Sequence, residues 1–359
     1  MRLLFLILPL SALAYVMTRV YHVLPFSSLG KSLCVGLGLL IFVSMILSFV
    51  IGFDNKPILL STLVYEISTS WLFILLYLFM IFLLMDLLRF CHVLPREILF
   101  SSVKGTLIVF SVIFCLFLYG NINYYNKKRV HLSVKTEKQL DKPLKIVMIS
   151  DLHIGFHNQR PTLAKWVDMI NKEQADMILI AGDIIDISTY PLFKQKSYEE
   201  FRRLNAPVYA CLGNHEYISG KEKVLEFYKL AGINLLRDSY CEDKGITIVG
   251  RDDRSSNSRK TIPQIIQGAD SSCYTVLLDH QPYNLEQSEQ SNIDFQFSGH
   301  THYGQVFPIN LITDAIYEKA YGQHKRGNTD YYISSGLGIW GGKFRIGTKS
   351  EYVVMDLSN

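Results

Sequence analysis

The sequence predicts an α/β domain that follows an all-helical region of transmembrane character. Hydrophobic residues make up 49% of the 359 residues, and they are concentrated in residues 1–122. Beyond residue 144, short strand-like apolar runs alternate with amphipathic helical stretches, which is the pattern of an α/β fold. We therefore expect a helical anchor at 1–122, a polar linker at 123–143 and the α/β domain at 144–359.

The N-terminal region contains four apolar stretches, at 3–20, 32–53, 70–88 and 105–119. Each is long enough, or nearly so, to cross about 30 Å of hydrocarbon as a helix. Helices are expected because backbone polar groups in lipid must bond within their own segment. The first stretch also fits a cleaved secretory signal, but the three that follow favour a multi-span protein with about four spans. Basic residues divide evenly between the two faces, so the positive-inside rule leaves the orientation open.

Composition argues against several classes of protein. The formal net charge of +4 is small for this length, and the basic residues are dispersed, so no nucleic-acid partner is indicated. The six cysteines contain no CxxC pair, which speaks against a disulfide framework or a zinc finger. Ionisable residues are missing from the middle of the apolar stretches, so a transport pathway has no support.

Five polar clusters follow strand-like runs in the second part of the chain. The carboxyl ends of strands in an α/β sheet border a common crevice, and residues two apart at such an end can enter one cavity. The glycines among them allow sharp turns and close approach of the backbone. The clusters are Asp151-Leu152-His153, Gly182-Asp183, Gly213-Asn214-His215-Glu216, His280 and Gly299-His300-Thr301-His302.

The donor atoms in these clusters suit divalent metal ions. Oxygen and imidazole donors without thiolate favour manganese, iron or zinc. A carboxylate can bridge two ions, and such a pair can polarise a phosphate and generate hydroxide near neutral pH. The candidate ligands number about what a pair of ions needs. They are Asp151, His153, Asp183, Asn214, His280, His300 and His302.

The ordered blocks SDLH (150–153), GD (182–183), GNHE (213–216) and GHTH (299–302) resemble the signature of the calcineurin-like metallophosphoesterase family. The resemblance covers most of residues 145–357. The GHTHYGQ segment and the C-terminal tail resemble the YaeI/YkuE-type branch, which contains membrane-associated or exported bacterial enzymes. The resemblance implies a four-layer α/β/β/α sandwich and a location in the bacterial plasma (inner) membrane.

The resemblance also implies a role for each site residue. His215 would donate a hydrogen bond or a proton to the leaving-group oxygen, and a hydroxide between two metals would attack the phosphorus of a phosphomonoester or phosphodiester. Asp183 would bridge the two ions. One ion would be held by Asp151, His153, Asp183 and His302, and the other by Asp183, Asn214, His280 and His300.

Three functions are compatible with these features. The first is a membrane-anchored phosphoesterase, including one whose lipid-linked or envelope substrate stays in the bilayer. The alternative is a non-catalytic metal-binding membrane sensor or scaffold, although a scaffold has no need of His215. A small multi-span transporter or receptor is the third. Outside these clusters, His157 could border the substrate cleft, but we expect a surface imidazole there. His324, Asp186 and Asp252 are weak candidates of the same kind, and we expect a structural or orienting role for Glu216.

Overall fold

The computed structural model describes residues 2–359, with side chains described from residue 10 onward. The chain forms two compact units. The first comprises Met1–Ile122 and Gly341–Lys343, and the second comprises Asn123–Trp340 and Phe344–Asn359.

The first unit is helical. Its helices are α1 (Arg2–Val23), α2 (Ser28–Ile51), α3 (Ile58–Phe90) and α4 (Val103–Tyr125), and a 3-10 turn covers Arg96–Ile98. The last three helices are long and apolar enough to cross a membrane. The expected first span falls on α1, where the side chains of residues 2–9 lie outside the described part, so that span stays a prediction.

Helix α3 is longer than the apolar stretch at 70–88 suggests. It has 33 residues, or about 50 Å at 1.5 Å per residue. The helix extends back to Ile58 because neither glycine nor proline interrupts the sequence after Pro57. Its first turns contain Ser, Thr and Glu residues, which a search for apolar runs passes over.

The second unit contains two six-stranded sheets. The first sheet has the order β1 (Lys128–Lys135), β12 (Glu351–Ser358), β2 (Leu144–Ile149), β3 (Met177–Ala181), β4 (Val208–Cys211) and β5 (Asn234–Leu235). The second has the order β10 (Gly322–Arg326), β11 (Thr329–Ile333), β9 (Phe295–Ser298), β8 (Tyr274–Leu278), β7 (Ile246–Gly250) and β6 (Ser239–Asp243).

Helices cover the outer faces of the two sheets. Helix α5 buries Leu163, Trp166, Val167 and Ile170, a spacing of three and four residues that presents one apolar face to the first sheet. The helices of this unit are α5 (Arg160–Asn171), α6 (Tyr190–Lys194), α7 (Tyr198–Phe201), α8 (Asn214–Ile218), α9 (Lys221–Ala231), α10 (Ile262–Ile265), α11 (Glu286–Gln290) and α12 (Ile309–Ile316).

The core confirms the layered architecture that the resemblance implies. One buried cluster joins inward residues of both sheets, such as Met148 and Val276. A second lies between the first sheet and its helices, and a third between the second sheet and α10. The order of layers is therefore helix, sheet, sheet, helix.

Strand β1 lies in the segment that the sequence analysis treats as a linker. Lys, Arg and His side chains give this segment a polar composition, but Val130, Leu132 and Val134 alternate with them toward the protein. Alternation of period two places one face on the core, and β1 pairs in parallel with β12 along its whole length. The segment is thus partly a strand of the first sheet.

Candidate metal centre

The polar clusters meet at one edge of the two sheets. Asp151, Asp183 and Asn214 follow β2, β3 and β4 of the first sheet, whereas His280 and His300 follow β8 and β9 of the second. Each of these residues lies two or three positions beyond the last residue of its strand. Strand ends from both sheets therefore supply the site, as expected for the crevice beyond the carboxyl ends of strands.

A first group of donors consists of Asp151, His153 and His302, whose ligand atoms all lie within 4.8 Å of one another. The Nε2 atoms of His153 and His302 are 3.0 Å apart. Asp151 Oδ1 lies 3.8 Å from the Nε2 atom of His153 and 3.6 Å from that of His302.

A second group consists of Asp183, His280 and His300, again within 4.8 Å. Asn214 belongs with them, because its Oδ1 atom lies 2.9 Å from His300 Nδ1 and 3.2 Å from His280 Nε2. The other ring nitrogen of His280 is 2.7 Å from the carbonyl oxygen of Ala181, which orients the ring so that Nε2 faces the group.

Asp183 lies between the two groups. Its Oδ2 atom is 3.1 Å from His280 Nε2 in the second group and 3.7 Å from His153 Nε2 in the first. Its other oxygen, Oδ1, accepts a hydrogen bond of 2.9 Å from the backbone N–H of His215. One carboxylate oxygen is therefore within reach of both donor groups.

The donor set fits divalent cations. His153 presents Nδ1 to Asp186 at 3.3 Å, so its Nε2 atom faces His302 and the carboxylates of Asp151 and Asp183. His302 Nδ1 is buried and has no hydrogen-bond partner among the described atoms. Buried nitrogen and oxygen acceptors that converge without an intervening donor are costly unless a cation lies among them.

Five of these side chains are positioned by unusual backbone geometry. The φ angles are 52° at Asp151, 45° at His153, 50° at Asp183, 71° at His300 and 47° at His302. Residues other than glycine rarely adopt the left-handed region, and such strain persists only where surrounding contacts hold it. Here, backbone hydrogen bonds from Asp151 to Gly182 and from His153 to Asp183 join the first two strand ends.

Close approach explains two of the glycines. A Cβ atom on Gly213 would lie 2.2 Å from Asp183 Oδ1, and one on Gly299 would lie 2.2 Å from Asp151 Oδ2. Any side chain at either position would displace a carboxylate of the site.

Glu216 fixes the loops rather than facing the donors. Its carboxylate accepts backbone hydrogen bonds from Gly213 (2.7 Å), Asp183 (2.9 Å) and Ile185 (3.0 Å). Burial and the neighbouring Asp183 raise the pKa of this carboxyl. The structure thus gives Glu216 the structural role expected from the sequence.

His215 lies at the edge of the site with Asp186 behind it. Its Nδ1 atom is 2.9 Å from the carbonyl oxygen of Asp186 and 3.4 Å from the carboxylate of the same residue. Burial opposes the charged ring, but Asp183 and Asp186 raise the pKa of His215 above its ordinary value. The charged ring of His215 is therefore favoured more than that of a free imidazole.

Asp186 has a larger part in the site than a weak candidate was expected to have. One of its oxygens lies 3.3 Å from His153 Nδ1 and 3.4 Å from His215 Nδ1, so it orients two imidazoles of the site. Burial disfavours its charge, but His153 and His215 hold the pKa of Asp186 below its usual range. Its position three residues after Asp183, at the same strand end, was the available signal.

The expectation for His157 is wrong. The residue is 3% exposed, and its Nε2 atom is 2.7 Å from the carbonyl oxygen of Ile339. A turn that reads as polar surface in the sequence is covered by residues 336–340, a glycine-rich segment that contains Ile339. Asp252 and His324 have partners elsewhere, at Arg237 and Glu318 respectively.

The donors differ in protonation. Burial opposes ionisation of Asp151 and Asp183, but nearby imidazoles hold the pKa of each carboxyl below its usual range. Burial, together with the neighbouring His280, lowers the pKa of His300 to about 4. Burial also lowers the pKa of His302, whereas neighbouring carboxylates raise the pKa of His153 and of His280 against the effect of burial. Because metal ligation requires neutral imidazole, binding of a cation would release the protons of those two rings.

Comparison with known proteins identifies the domain. Residues 144–304 match the family model described as calcineurin-like phosphoesterase. An uncharacterized metallophosphoesterase of Campylobacter jejuni is 33% identical over 263 residues, which cover 70% of this chain and 68% of the relative. YkuE of Bacillus subtilis, also an uncharacterized metallophosphoesterase, is 28% identical over 261 residues, or 67% of this chain and 91% of the relative.

A third relative, an uncharacterized metallophosphoesterase of Helicobacter pylori, is 33% identical over 229 residues. The match spans 61% of this chain and 61% of that protein, so part of each lies outside it. The resemblance that the sequence motifs carry, including that to the YkuE-type branch, is confirmed by these relatives. The chain belongs to the calcineurin-like metallophosphoesterase family.

Proposed function

We propose that this chain is a membrane-anchored hydrolase of phosphomonoesters or phosphodiesters with a dinuclear metal site. The position of Asp183 Oδ2 carries the proposal, because this oxygen lies 3.1 Å from a donor of one group and 3.7 Å from a donor of the other. A shared carboxylate is the usual means of holding two ions in one catalytic site.

We assign the seven donors to the two ions as the resemblance to the family implies. The donor chemistry favours manganese, iron or zinc over a thiolate-selective ion. When bound, the ions supply Lewis acidity and a water of lowered pKa. Asp151, His153, Asp183 and His302 would hold one ion, and Asp183, Asn214, His280 and His300 the other.

His215 supplies the proton that a leaving group needs. Its Nδ1 atom is held by Asp186, which leaves Nε2 as the atom that can face substrate, and its side chain is 14% exposed. The raised pKa of His215 favours the protonated ring, which can donate to the departing oxygen. Loss of that proton at alkaline pH would slow the reaction.

Helix α12 supports a substrate with a lipid part. Its residues Leu311, Ile312 and Ile316 are 57%, 58% and 56% exposed. The helix begins against Gly304, where a Cβ atom would lie 2.2 Å from Asn310 N, and Gly304 is two residues from His302. An apolar surface so close to the donors suits a lipid-linked phosphate ester, with the bacterial inner membrane as the proposed location.

The test uses the full chain in detergent with added manganese. Hydrolysis of p-nitrophenyl phosphate and bis-p-nitrophenyl phosphate is measured for the wild type, Asp183→Asn, His215→Ala and a control, His324→Ala. We expect metal-dependent turnover that both site variants lose by at least about 100-fold, whereas the control retains it. Absence of turnover with metal demonstrably bound would favour the sensor or scaffold instead.

Whether the substrate carries a lipid part is tested separately, with the full chain in nanodiscs. Leu311→Gln/Ile312→Gln should lower kcat/KM for a phospholipid ester while leaving the soluble ester unaffected, and Leu225→Gln on α9 serves as the control. Equal effects on both esters would remove the lipid part of the proposal without touching the phosphoesterase assignment.

A further inference from the structure

A second polar feature lies in the helical unit, apart from the donors described above. A cavity of about 760 Å³ is bordered by three arginines from three segments of the chain. Arg19 is on α1, Arg89 is in the last turn of α3, and Arg96 begins the 3-10 turn. The proposed phosphoesterase chemistry uses none of these residues.

Positive charge exceeds negative charge around this cavity. Asp86 is the one carboxylate among the described residues that line it, and it engages the guanidinium of Arg19. Asp86 also accepts a hydrogen bond of 2.5 Å from the hydroxyl of Tyr15. Within the part of the chain that the structure describes, neither Arg89 nor Arg96 forms an ion pair, so three cations face one anion.

One aromatic ring holds the two arginines that have no ion pair. The guanidinium carbons of Arg89 and Arg96 lie 5.6 Å and 5.1 Å from the centroid of Phe100. Stacking on a ring orders a guanidinium at a modest gain in free energy. Two cations on one ring repel each other, so an anion that contacts both would relieve the repulsion.

Basic residues at helix ends often only extend toward the membrane surface. Convergence of three segments on one cavity, with two guanidiniums ordered by a shared ring, goes beyond that pattern. A planar guanidinium group can donate two parallel hydrogen bonds to the oxygens of one phosphate. The adjacent Phe90 and Leu94 provide apolar surface beside the arginines. We propose that this cavity binds a phosphate group, carried either by a lipid headgroup or by a free phosphate.

The full chain, purified in detergent, provides the test by native mass spectrometry. Phosphatidic acid and diacylglycerol with the same acyl chains are compared as ligands. We expect phosphatidic acid to be retained over diacylglycerol, and Arg89→Gln/Arg96→Gln to weaken that retention about tenfold. Lys31→Gln/Lys104→Gln removes two charges of the same unit outside the cavity lining and should change retention by less than about twofold.

Competition with inorganic phosphate distinguishes a lipid headgroup from free phosphate as the ligand of the cavity. Displacement of phosphatidic acid by millimolar inorganic phosphate would assign the cavity to free phosphate, and resistance to it would assign the lipid headgroup. A second variant, Arg89→Lys/Arg96→Lys, keeps the two charges but loses the paired N–H donors, so it should also bind phosphatidic acid more weakly. This variant replaces the glutamine variant if the latter fails to fold. The proposal would be overturned if the wild type and both arginine variants retained phosphatidic acid equally. It would also be overturned if the control Lys31→Gln/Lys104→Gln lost as much retention as the arginine variants.

Discussion

The guanidinium of Arg345 donates a hydrogen bond of 2.7 Å to the backbone carbonyl oxygen of His302, a residue of the first donor group. Arg345 is fully buried, and its other donors reach the carbonyl oxygens of Ser335 and Gly338. The arginine therefore joins the loop that ends in His302 to the glycine-rich segment. Burial lowers the pKa of Arg345 to about 10, which still leaves it charged near neutral pH.

Arg345→Lys should weaken metal binding. A lysine has no planar fork and cannot reach three carbonyl groups at once, so His302 would lose its fixed position. Contacts of this kind change metal affinity by about 10-fold to 100-fold. Titration of the metal-free chain with manganese against a chelating dye measures the change, and Arg326→Lys is the control. Unchanged affinity would show that His302 is held without the arginine.

Asp186→Asn should move the alkaline limb of the pH–rate profile. The pKa of His215 is raised partly by the carboxylate of Asp186, and activity that needs protonated His215 falls as pH rises through that pKa. Removing the charge lowers the pKa, so the fall should begin at a lower pH. Initial rates across pH, compared with Asp252→Asn, provide the measurement. A profile that keeps its alkaline limb in place would exclude this role for Asp186.

Glu216→Ala should destabilise the domain. The substitution leaves the backbone N–H groups of Gly213, Asp183 and Ile185 without their acceptor in a buried site. Each unsatisfied buried donor costs about 1–3 kcal/mol, so the total should be about 3 kcal/mol or more. Thermal unfolding of the full chain in detergent reports the loss. Glu222→Ala, in the first turn of α9, is the control, and a similarly small effect of both would refute the prediction.

Glu200→Gln should reduce the sensitivity of the domain to acid. Burial opposes the charge of Glu200, but Arg203 and Arg160 lower the pKa of its carboxyl below the ordinary value. A carboxyl with a lowered pKa contributes stability above its unfolded pKa, and that contribution disappears as pH falls through the folded pKa. The wild type should therefore lose more thermal stability than the variant as the pH falls from about 5 to about 3, that is, through and below the ordinary pKa of a glutamate. Parallel losses would contradict the prediction.

The sequence by itself determined the family of the domain and its α/β class. The order of the blocks from Asp151 to His302, each after an apolar run, was sufficient to predict an α/β domain with its polar residues at the strand ends, and the resemblance of these blocks to a known family implied the layered sandwich. Strand ends of a layered sheet converge for geometric reasons, so the prediction needed no distances. Apolar composition likewise predicted the helical region, because backbone groups in lipid must bond within their own helix.

Tertiary structure decided what depends on packing between distant segments. Asp186 became a partner of His153 and His215 only once the turns after β2 and β3 lay beside the loop after β4. His157 is buried because Ile339, distant in sequence, covers it. Burial, pKa and hydrogen-bond partners depend on three-dimensional neighbours, which a linear pattern does not contain, so only the folded chain could assign these residues.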